Sequence, residues 1–230
     1  MSLEIACFNL PSALLACAAG ATRIELCVDR PQGGTTPPLP LFQAVHLQKA
    51  GHVKVNVMIR PRGGDFVYSA EEFSTMKDDL RTFKSAGVDG FVFGVLHPSS
   101  AAIDILRNAE LVALATPLPC TFHRAFDCIP PDAMREALDQ LVGCGFRSVL
   151  TSGGAPDAFA GCSVIADLVD AARGRIDVIV GGGVRASNVA QLVVATRAPY
   201  FHSSAILDGE VASAEEVKSL RRLIDISSDS

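Results

Sequence analysis

The fold class follows from residues 19–27, which read Ala19-Gly20-Ala21-Thr22-Arg23-Ile24-Glu25-Leu26-Cys27. A Gly placed just beyond the end of a helix supplies the left-handed turn that closes the helix. The run of β-branched and apolar residues after that turn is typical of a strand. The segment is therefore predicted to be a junction at which a helix ends and a strand begins.

The same junction returns along the chain, at Gly51, Gly87, Gly145 and Gly174. The segments between these glycines have helical spacing. After the capping box Ser69-Ala70-Glu71-Glu72, for example, apolar residues recur at positions 73, 76, 80 and 83. By the same reasoning helices are predicted near residues 11–19, 38–50, 69–83, 101–115, 130–141, 156–172, 187–196 and 213–226.

With strands added at residues 3–7 and 199–203, eight strands alternate with eight helices, at about 29 residues per unit. An unbroken alternation of this kind means a parallel sheet, and eight units have the size of a (β/α)8 barrel. The predicted fold class is therefore α/β, with a single TIM-type barrel domain over residues 1–230. A doubly wound open sheet is the alternative.

Composition excludes several classes of protein. The 230 residues are 49% hydrophobic and 20% charged, with a formal net charge of −5. These values are typical of a globular chain, and the absence of a Lys/Arg run argues against nucleic-acid binding. No apolar run approaches the roughly 18 residues of a membrane span, and the N-terminus does not resemble a signal peptide. We therefore expect a cytoplasmic protein that does not enter a membrane.

The seven cysteines form no C-x-x-C motif. This spacing excludes a zinc ribbon and a thioredoxin-like redox site. Most of the thiols are expected to be small, buried apolar side chains.

Polar residues inside the strands point to a site. In a barrel strand alternate residues face the interior, where a charge is tolerated mainly near a mouth. Alternation places Glu4, Glu25 and Arg60 in the interior, and Thr121 and His123 share a face of the fifth strand. These groups form either a structural layer of salt bridges or part of a site.

Catalytic groups of such barrels gather at the carboxyl ends of the strands. The candidates for catalysis are Glu25, Arg60 and His123, with Glu25 and His123 exchanging protons. Arginines and glycines near the same ends are candidates for holding an anion or a phosphate. The candidate substrate-binding residues are Arg62, Asp65, Arg124, Asp127, Ser152, Gly182, Gly183, His202 and Ser203.

Five stretches resemble signatures of the CutC copper homeostasis family. They are Arg23-Ile24-Glu25-Leu26-Cys27, Gly33-Gly34-Thr35-Thr36-Pro37, residues 58–66 (Met-Ile-Arg-Pro-Arg-Gly-Gly-Asp-Phe), residues 122–127 (Phe-His-Arg-Ala-Phe-Asp) and residues 150–154 (Leu-Thr-Ser-Gly-Gly). The resemblance covers nearly the whole chain. It implies a cytoplasmic TIM-type barrel that forms a homo-oligomer and binds copper as Cu(I).

Soft thiolates select Cu(I), and Cys27 is the thiol that the resemblance carries over as a metal ligand. The family has a second Cys where this chain has Ala6, whereas here the sulfur is at Cys7, which alternation turns away from the interior. His123, His202 or a second subunit would have to complete a site. Two hypotheses follow: a copper-handling protein, or an enzyme that acts on a small anionic or phosphorylated metabolite.

Overall fold

Eight parallel strands form a closed barrel in the computed structural model, which describes residues 1–98 and 102–228. Each strand pairs with the next along the chain, and the first pairs with the last. The strands are β1 (Ser2–Cys7), β2 (Arg23–Leu26), β3 (Lys54–Met58), β4 (Gly90–Phe93), β5 (Cys120–Phe122), β6 (Ser148–Thr151), β7 (Asp177–Val180) and β8 (Tyr200–Ser203).

A helix follows each strand and covers the outside of the barrel. The helices are α1 (Leu10–Ala18), α2 (Leu39–Gln48), α3 (Ala70–Ser85), α4 (Ile105–Ala115), α5 (Met134–Cys144), α6 (Cys162–Ala172), α7 (Val189–Thr196) and α8 (Ala214–Ser228). The (β/α)8 barrel predicted from the junction glycines is confirmed, and the open-sheet alternative is wrong because β8 returns to β1.

Local chemistry explains where the helices begin and end. Ser69 and Glu72 form the predicted capping box of α3, in which each side chain accepts from the other residue's backbone N–H. Gly145 ends α5 with a φ of 91°, a left-handed conformation that costs Gly little. The sequence pattern therefore sets these boundaries directly.

The strand register sorts side chains between two cores. Leu3 and Ile5 are fully buried in the outer core between sheet and helices, and Cys7 packs there too. Glu4 points the other way and lies opposite Arg23 on β2 and His202 on β8. The predicted alternation in β1 therefore holds, and it brings charged groups of three strands together inside the barrel.

Three predicted helices begin later than expected. The helix predicted from residue 130 begins at Met134, after a 3-10 turn at Pro131–Ala133. The helix predicted from residue 156 begins at Cys162, after Gly161, where a Cβ would lie 1.9 Å from the carbonyl oxygen of Ser152. The helix predicted from residue 101 begins at Ile105, where the Asp104 side chain accepts from the N–H of Arg107. Residue 101 itself lies outside the described residues.

No helix within residues 1–98 and 102–228 combines the length and the apolar composition needed to cross a membrane.

Asn108 of α4 supports the loop that follows β4. Its side chain is fully buried, accepts from the N–H of Val95 (3.1 Å) and donates to the carbonyl of Val95 (2.7 Å). We expect Asn108→Ala to lower the free energy of unfolding by about 1–3 kcal/mol, because the N–H of Val95 loses its partner in a dry environment, whereas the Val95 carbonyl keeps the N–H of Asp104 at 3.1 Å. Urea denaturation measures the change. Thr75→Ala, which removes an exposed hydrogen bond on α3, is the control and should stay within about 0.5 kcal/mol. Equal losses in both variants would contradict the assignment.

Candidate functional site

A pocket of about 230 Å³ opens at the carboxyl ends of the strands. We call it the mouth pocket. It combines charged side chains with an apolar wall, and its lining residues are Ala6, Phe8, Glu25, Gln32, Gly33, Met58, Arg60, Phe66, His123, Arg124, Leu150 and His202.

Arg60 follows β3 and is only 4% exposed. Its Nη1 donates to the carbonyls of Gln32 (2.6 Å) and Gly34 (2.9 Å), its Nη2 donates to the carbonyl of Gly64 (2.9 Å), and its Nε lacks a hydrogen-bond partner. The guanidinium also stacks on the ring of Phe66, 4.7 Å from the centroid.

The ion pairs of the described residues do not include Arg60. Arg60 therefore lies outside the buried ion pairs, which the described residues form around Glu4 with Arg23 and His202. A buried cation that has lost its hydration and has gained only neutral carbonyls is poised to bind an anion.

His123 follows β5 and lies beside Arg60, under the ring of Phe66 at 4.8 Å between centroids. Gly94, just after β4, makes room for the imidazole, since a Cβ at this position would lie 2.8 Å from Nδ1. Nδ1 accepts from the backbone N–H of Ala125 (3.3 Å), which places the ring proton on Nε2. Nε2 is buried and has no hydrogen-bond partner within residues 1–98 and 102–228.

The charge state of His123 follows from the same surroundings. Burial, reinforced by the positive charge of Arg60, lowers the pKa of His123 to about 3. The imidazole is therefore neutral at physiological pH, and it offers an Nε2–H donor to the mouth pocket.

Glu4 lies inside the barrel and bonds to His202, one of the residues that line the pocket. One oxygen pairs with Nδ1 of His202 at 2.7 Å, and the other accepts from Nε of Arg23. Burial opposes ionisation, but the charge of Arg23 and the bond to His202 outweigh it and hold the pKa of Glu4 at about 2. Glu4 is therefore a buried anion.

The carboxyl group of Glu25 is in a different environment from that of Glu4, although Glu25 lies only two residues along β2 from Arg23. Its Oε2 is buried without a hydrogen-bond partner. Burial raises the pKa of Glu25 to about 7, with the negative charge of Glu4 adding to the effect and His202 and Arg23 opposing it. A pair of carboxyl groups with such different pKa values is typical of acid–base sites.

Glu4, Glu25 and His202 also lie close enough to hold a metal ion, since one donor atom of each is within 4.8 Å of the others. Two carboxylates and an imidazole suit hard or borderline cations rather than Cu(I). Both oxygens of Glu4 are already bonded to Arg23 and His202, so the three residues form a hydrogen-bonded cluster in this structure.

Cys27 does not line the pocket. It is 1% exposed and packs with Val92 and with Met58, which does line the pocket, in an apolar cluster inside the barrel. Burial, and then the charge of Glu25, raises the pKa of the Cys27 thiol well above its usual value. A thioether and a thiol are therefore neighbours here, and Cys7 packs separately in the outer core.

Arg124 stands at the rim of the pocket, where two neighbours hold it. Its Nε pairs with Asp127 (2.7 Å) and its Nη2 donates to the hydroxyl of Ser152 (2.8 Å). Asp127 in turn accepts from the backbone N–H groups of Ser152 and Gly154. Asp127 and Ser152 thus position Arg124 and do not line the pocket themselves. Gly182 lies against the guanidinium of Arg124, since a Cβ added to Gly182 would lie 3.4 Å from Cζ of Arg124.

The remaining predicted binding residues lie elsewhere. Arg62 pairs with Glu72 (2.6 Å) and with Asp65 (3.0 Å) on the outer side of the loop. The hydroxyl of Ser203 donates to the carbonyl of Val184. Gly183 faces Asp157. The structure therefore brings Glu25, Arg60, His123, Arg124 and His202 together in the mouth pocket, and leaves Arg62, Asp65, Gly183 and Ser203 outside its lining.

Sequence reasoning missed two residues that shape the site. Phe66 contacts both Arg60 and His123, and Gly94 provides the space for the His123 ring. A Gly directly after the predicted fourth strand was the only signal for Gly94. No sequence pattern indicates the stacking of Phe66.

The closed barrel with its polar mouth pocket defines a (β/α)8 protein that has a candidate site at the carboxyl ends of its strands. The profile of the CutC family matches residues 1–207, and the chain belongs to that family.

Relatives agree with this assignment. A protein of Mus musculus named copper homeostasis protein cutC homolog is 45% identical over 203 residues, which span 88% of this chain and 73% of the relative. A family protein CutC of Chromobacterium violaceum is 40% identical over 213 residues, spanning 92% and 83%.

Solved structures show the same architecture. The crystal structure of a CutC protein from Streptococcus agalactiae superposes with a TM-score of 0.82 at 33% identity, covering 89% of this chain and 99% of that chain. Thiamine phosphate pyrophosphorylase from Pyrococcus furiosus has a TM-score of 0.66 at 14% identity, covering 98% and 96%. The latter likeness shows the fold alone.

The raised pKa of Glu25 predicts how stability depends on pH. The unfolded carboxyl ionises near 4.5 and the folded one near 7, so the folded state binds more protons between these values and loses stability as the pH rises. As the pH rises from 4.5 to 7.5, we expect the free energy of unfolding of Glu25→Gln to increase by about 2–3 kcal/mol relative to that of the parent. Chemical denaturation across this range measures the difference. The control is Glu215→Gln, exposed on α8, which should show no such trend. A constant difference for Glu25→Gln would refute the shift.

Proposed function

We propose that the chain is an enzyme that performs acid–base chemistry on a small anionic or phosphorylated metabolite bound in the mouth pocket. The observation that carries this proposal is the guanidinium of Arg60, which is buried and lacks a carboxylate partner among the described residues. An anion in the pocket would supply the missing counter-charge.

The lining residues divide into two roles. Arg60 inside and Arg124 at the rim attract and orient the anion. Glu25 and His123 are the groups that exchange or polarise protons, because each presents a buried polar atom without a partner. His202 connects the pocket to the buried anion of Glu4.

Arg60→Gln tests the anion site. We expect candidate ligands that stabilise the parent protein to lose at least tenfold in affinity, about 1.4 kcal/mol, because the amide carries no charge. A panel of small carboxylates and phosphate esters is screened by thermal shift, and the hits are titrated by calorimetry. Arg175→Gln, on the outer surface and paired with Asp139, is the matched control and should bind like the parent. The proposal fails if no anion shifts the parent's Tm, or if both variants bind equally well.

A second candidate function is binding of Cu(I) as cargo, and one observation favours it. Cys27 and Met58 offer a thiol and a thioether in the same interior cluster, and these are the donors that Cu(I) prefers. The relatives named copper homeostasis proteins support the same idea. The thiol must lose its proton on binding, so the raised pKa of Cys27 makes affinity rise with pH.

Cys27→Ser tests the copper site, because it replaces a soft donor with a hard hydroxyl of similar size. We expect affinity for Cu(I) to fall at least a hundredfold and Met58→Leu to reduce it by a smaller factor. Anaerobic competition against a chromogenic Cu(I) chelator measures both. Cys128→Ser, an exposed thiol, is the control. Equal binding by the parent and Cys27→Ser would assign copper to other thiols and remove this candidate.

A further inference from the structure

We infer that the mouth pocket catalyses proton transfer at a carbon next to a carbonyl group, so that its substrates are small aldehydes, ketones or oxo acids that it enolises. The inference rests on the proposed function and names its reaction class. It is argued from the groups that line the pocket and from the polar atoms that they leave unpaired.

The side chains that line the mouth pocket limit the classes of reaction that it can catalyse. Among the described residues that line the pocket there is no Ser, Thr, Tyr, Cys or Lys side chain. A hydroxyl, thiol or amine nucleophile of the chain is therefore not in place for acyl transfer or for a Schiff base. Proton transfer remains, because the lining supplies one carboxyl, two imidazoles and two guanidinium groups.

His123 supplies the electrophile. Its tautomer is set by the Ala125 N–H, so that Nε2 carries a hydrogen with no acceptor among the residues that the structure describes. A neutral imidazole can hold a carbonyl oxygen and the enolate oxygen that develops from it, and the adjacent positive charge of Arg60 stabilises that oxygen further.

Glu25 supplies the base. Its Oε2 is buried and unpaired on the wall of the same pocket, whereas both oxygens of Glu4 below it are held by Arg23 and His202. Of the two interior carboxyl groups, only Glu25 is available to a substrate.

The step balances without a further reactant. The carboxylate of Glu25 removes a proton from the carbon next to the carbonyl, and the C–H electron pair becomes a C=C bond. The carbonyl electron pair moves to the oxygen, which becomes an enolate held by Nε2–H of His123 beside Arg60. Glu25 then returns the proton to the same carbon, giving exchange. In a hydroxycarbonyl compound it can instead deliver the proton to the former carbonyl carbon, while the neighbouring hydroxyl passes its own proton to the enolate oxygen and becomes the new carbonyl, giving isomerisation.

The size of the pocket limits the substrate. About 230 Å³ is below the range of typical drug-sized sites, so the substrate is a compact molecule. Arg124 at the rim is placed to receive a carboxylate or phosphate at its far end. The experiment below distinguishes a substrate that carries a carboxylate from one that carries a phosphate.

The experiment follows exchange of C–H hydrogens in D2O by proton NMR. The probes are pyruvate, 2-oxobutyrate, dihydroxyacetone, dihydroxyacetone phosphate and glyceraldehyde 3-phosphate. We expect the parent protein to accelerate exchange at least a hundredfold over buffer for one or more of them. Preference for oxo acids indicates a carboxylate ligand, and preference for triose phosphates indicates a phosphate ligand.

Variants assign the roles. We expect Glu25→Gln to lose at least a hundredfold in exchange rate while it binds an enolate mimic, oxalate or glycolohydroxamate, within threefold of the parent. Glu25→Asp keeps the carboxyl and should retain part of the rate. His123→Phe should bind the enolate mimic at least tenfold more weakly than the parent does. Glu215→Gln on α8 is the control and should match the parent.

Two results overturn the inference: no accelerated exchange of any probe by the parent, or an unchanged rate in Glu25→Gln. If anions still bind in a manner that depends on Arg60, the proposed function survives and only the reaction class falls. If no anion binds, both fall.

Discussion

The buried carboxylate of Glu4 is the contact on which the arrangement of the barrel interior depends. It lies on β1, where the barrel closes, and it bonds to Arg23 on β2 and to His202 on β8. A buried anion with two hydrogen-bonded partners is stable only when all three strands keep their register. The negative charge also acts on Glu25, whose pKa is raised mainly by burial, with the charge of Glu4 adding a smaller effect. The contact that closes the barrel therefore also contributes to the properties of the candidate base.

Two different kinds of interaction hold the side chains on the two sides of the mouth pocket. On the Glu4 side, charged side chains bond to one another. On the other side, Arg60 is fixed by backbone carbonyls and by the face of Phe66, and His123 is fixed by a backbone N–H and by the space over Gly94. Polar atoms of Glu25, Arg60 and His123 are left without partners between these two sides. A buried polar atom without a partner costs free energy, and a ligand with complementary polar atoms would remove that cost, which supports the proposal of a site here.

Much of this structure could be predicted from the sequence because the information is local. Gly145 and the capping box at Ser69 mark helix ends through the conformation of a few residues, and strand alternation places Glu4 and Glu25 in the interior. The placement of Arg62 could not be predicted in this way. It follows β3 like Arg60, but it turns to Glu72 of the next helix, a partner that only the folded loop brings within 2.6 Å. The unpaired state of Arg60 and the tautomer of His123 depend on loop backbone geometry, and no residue pattern encodes that geometry.

The way in which Arg60 is held has an evolutionary consequence. Its guanidinium donates to main-chain oxygens of Gln32, Gly34 and Gly64, which belong to the loops after β2 and β3. Every amino acid carries a carbonyl, but the backbone that aims these oxygens is restricted, because Gly34 and Gly64 have φ of 92° and 83°, conformations that favour glycine. A Cβ on Gly33 would also lie 3.3 Å from Nη1 of Arg60. The position of the cation is therefore inherited together with the glycines of the two loops, and a lineage that replaced them would lose the cation's support even with Arg60 unchanged.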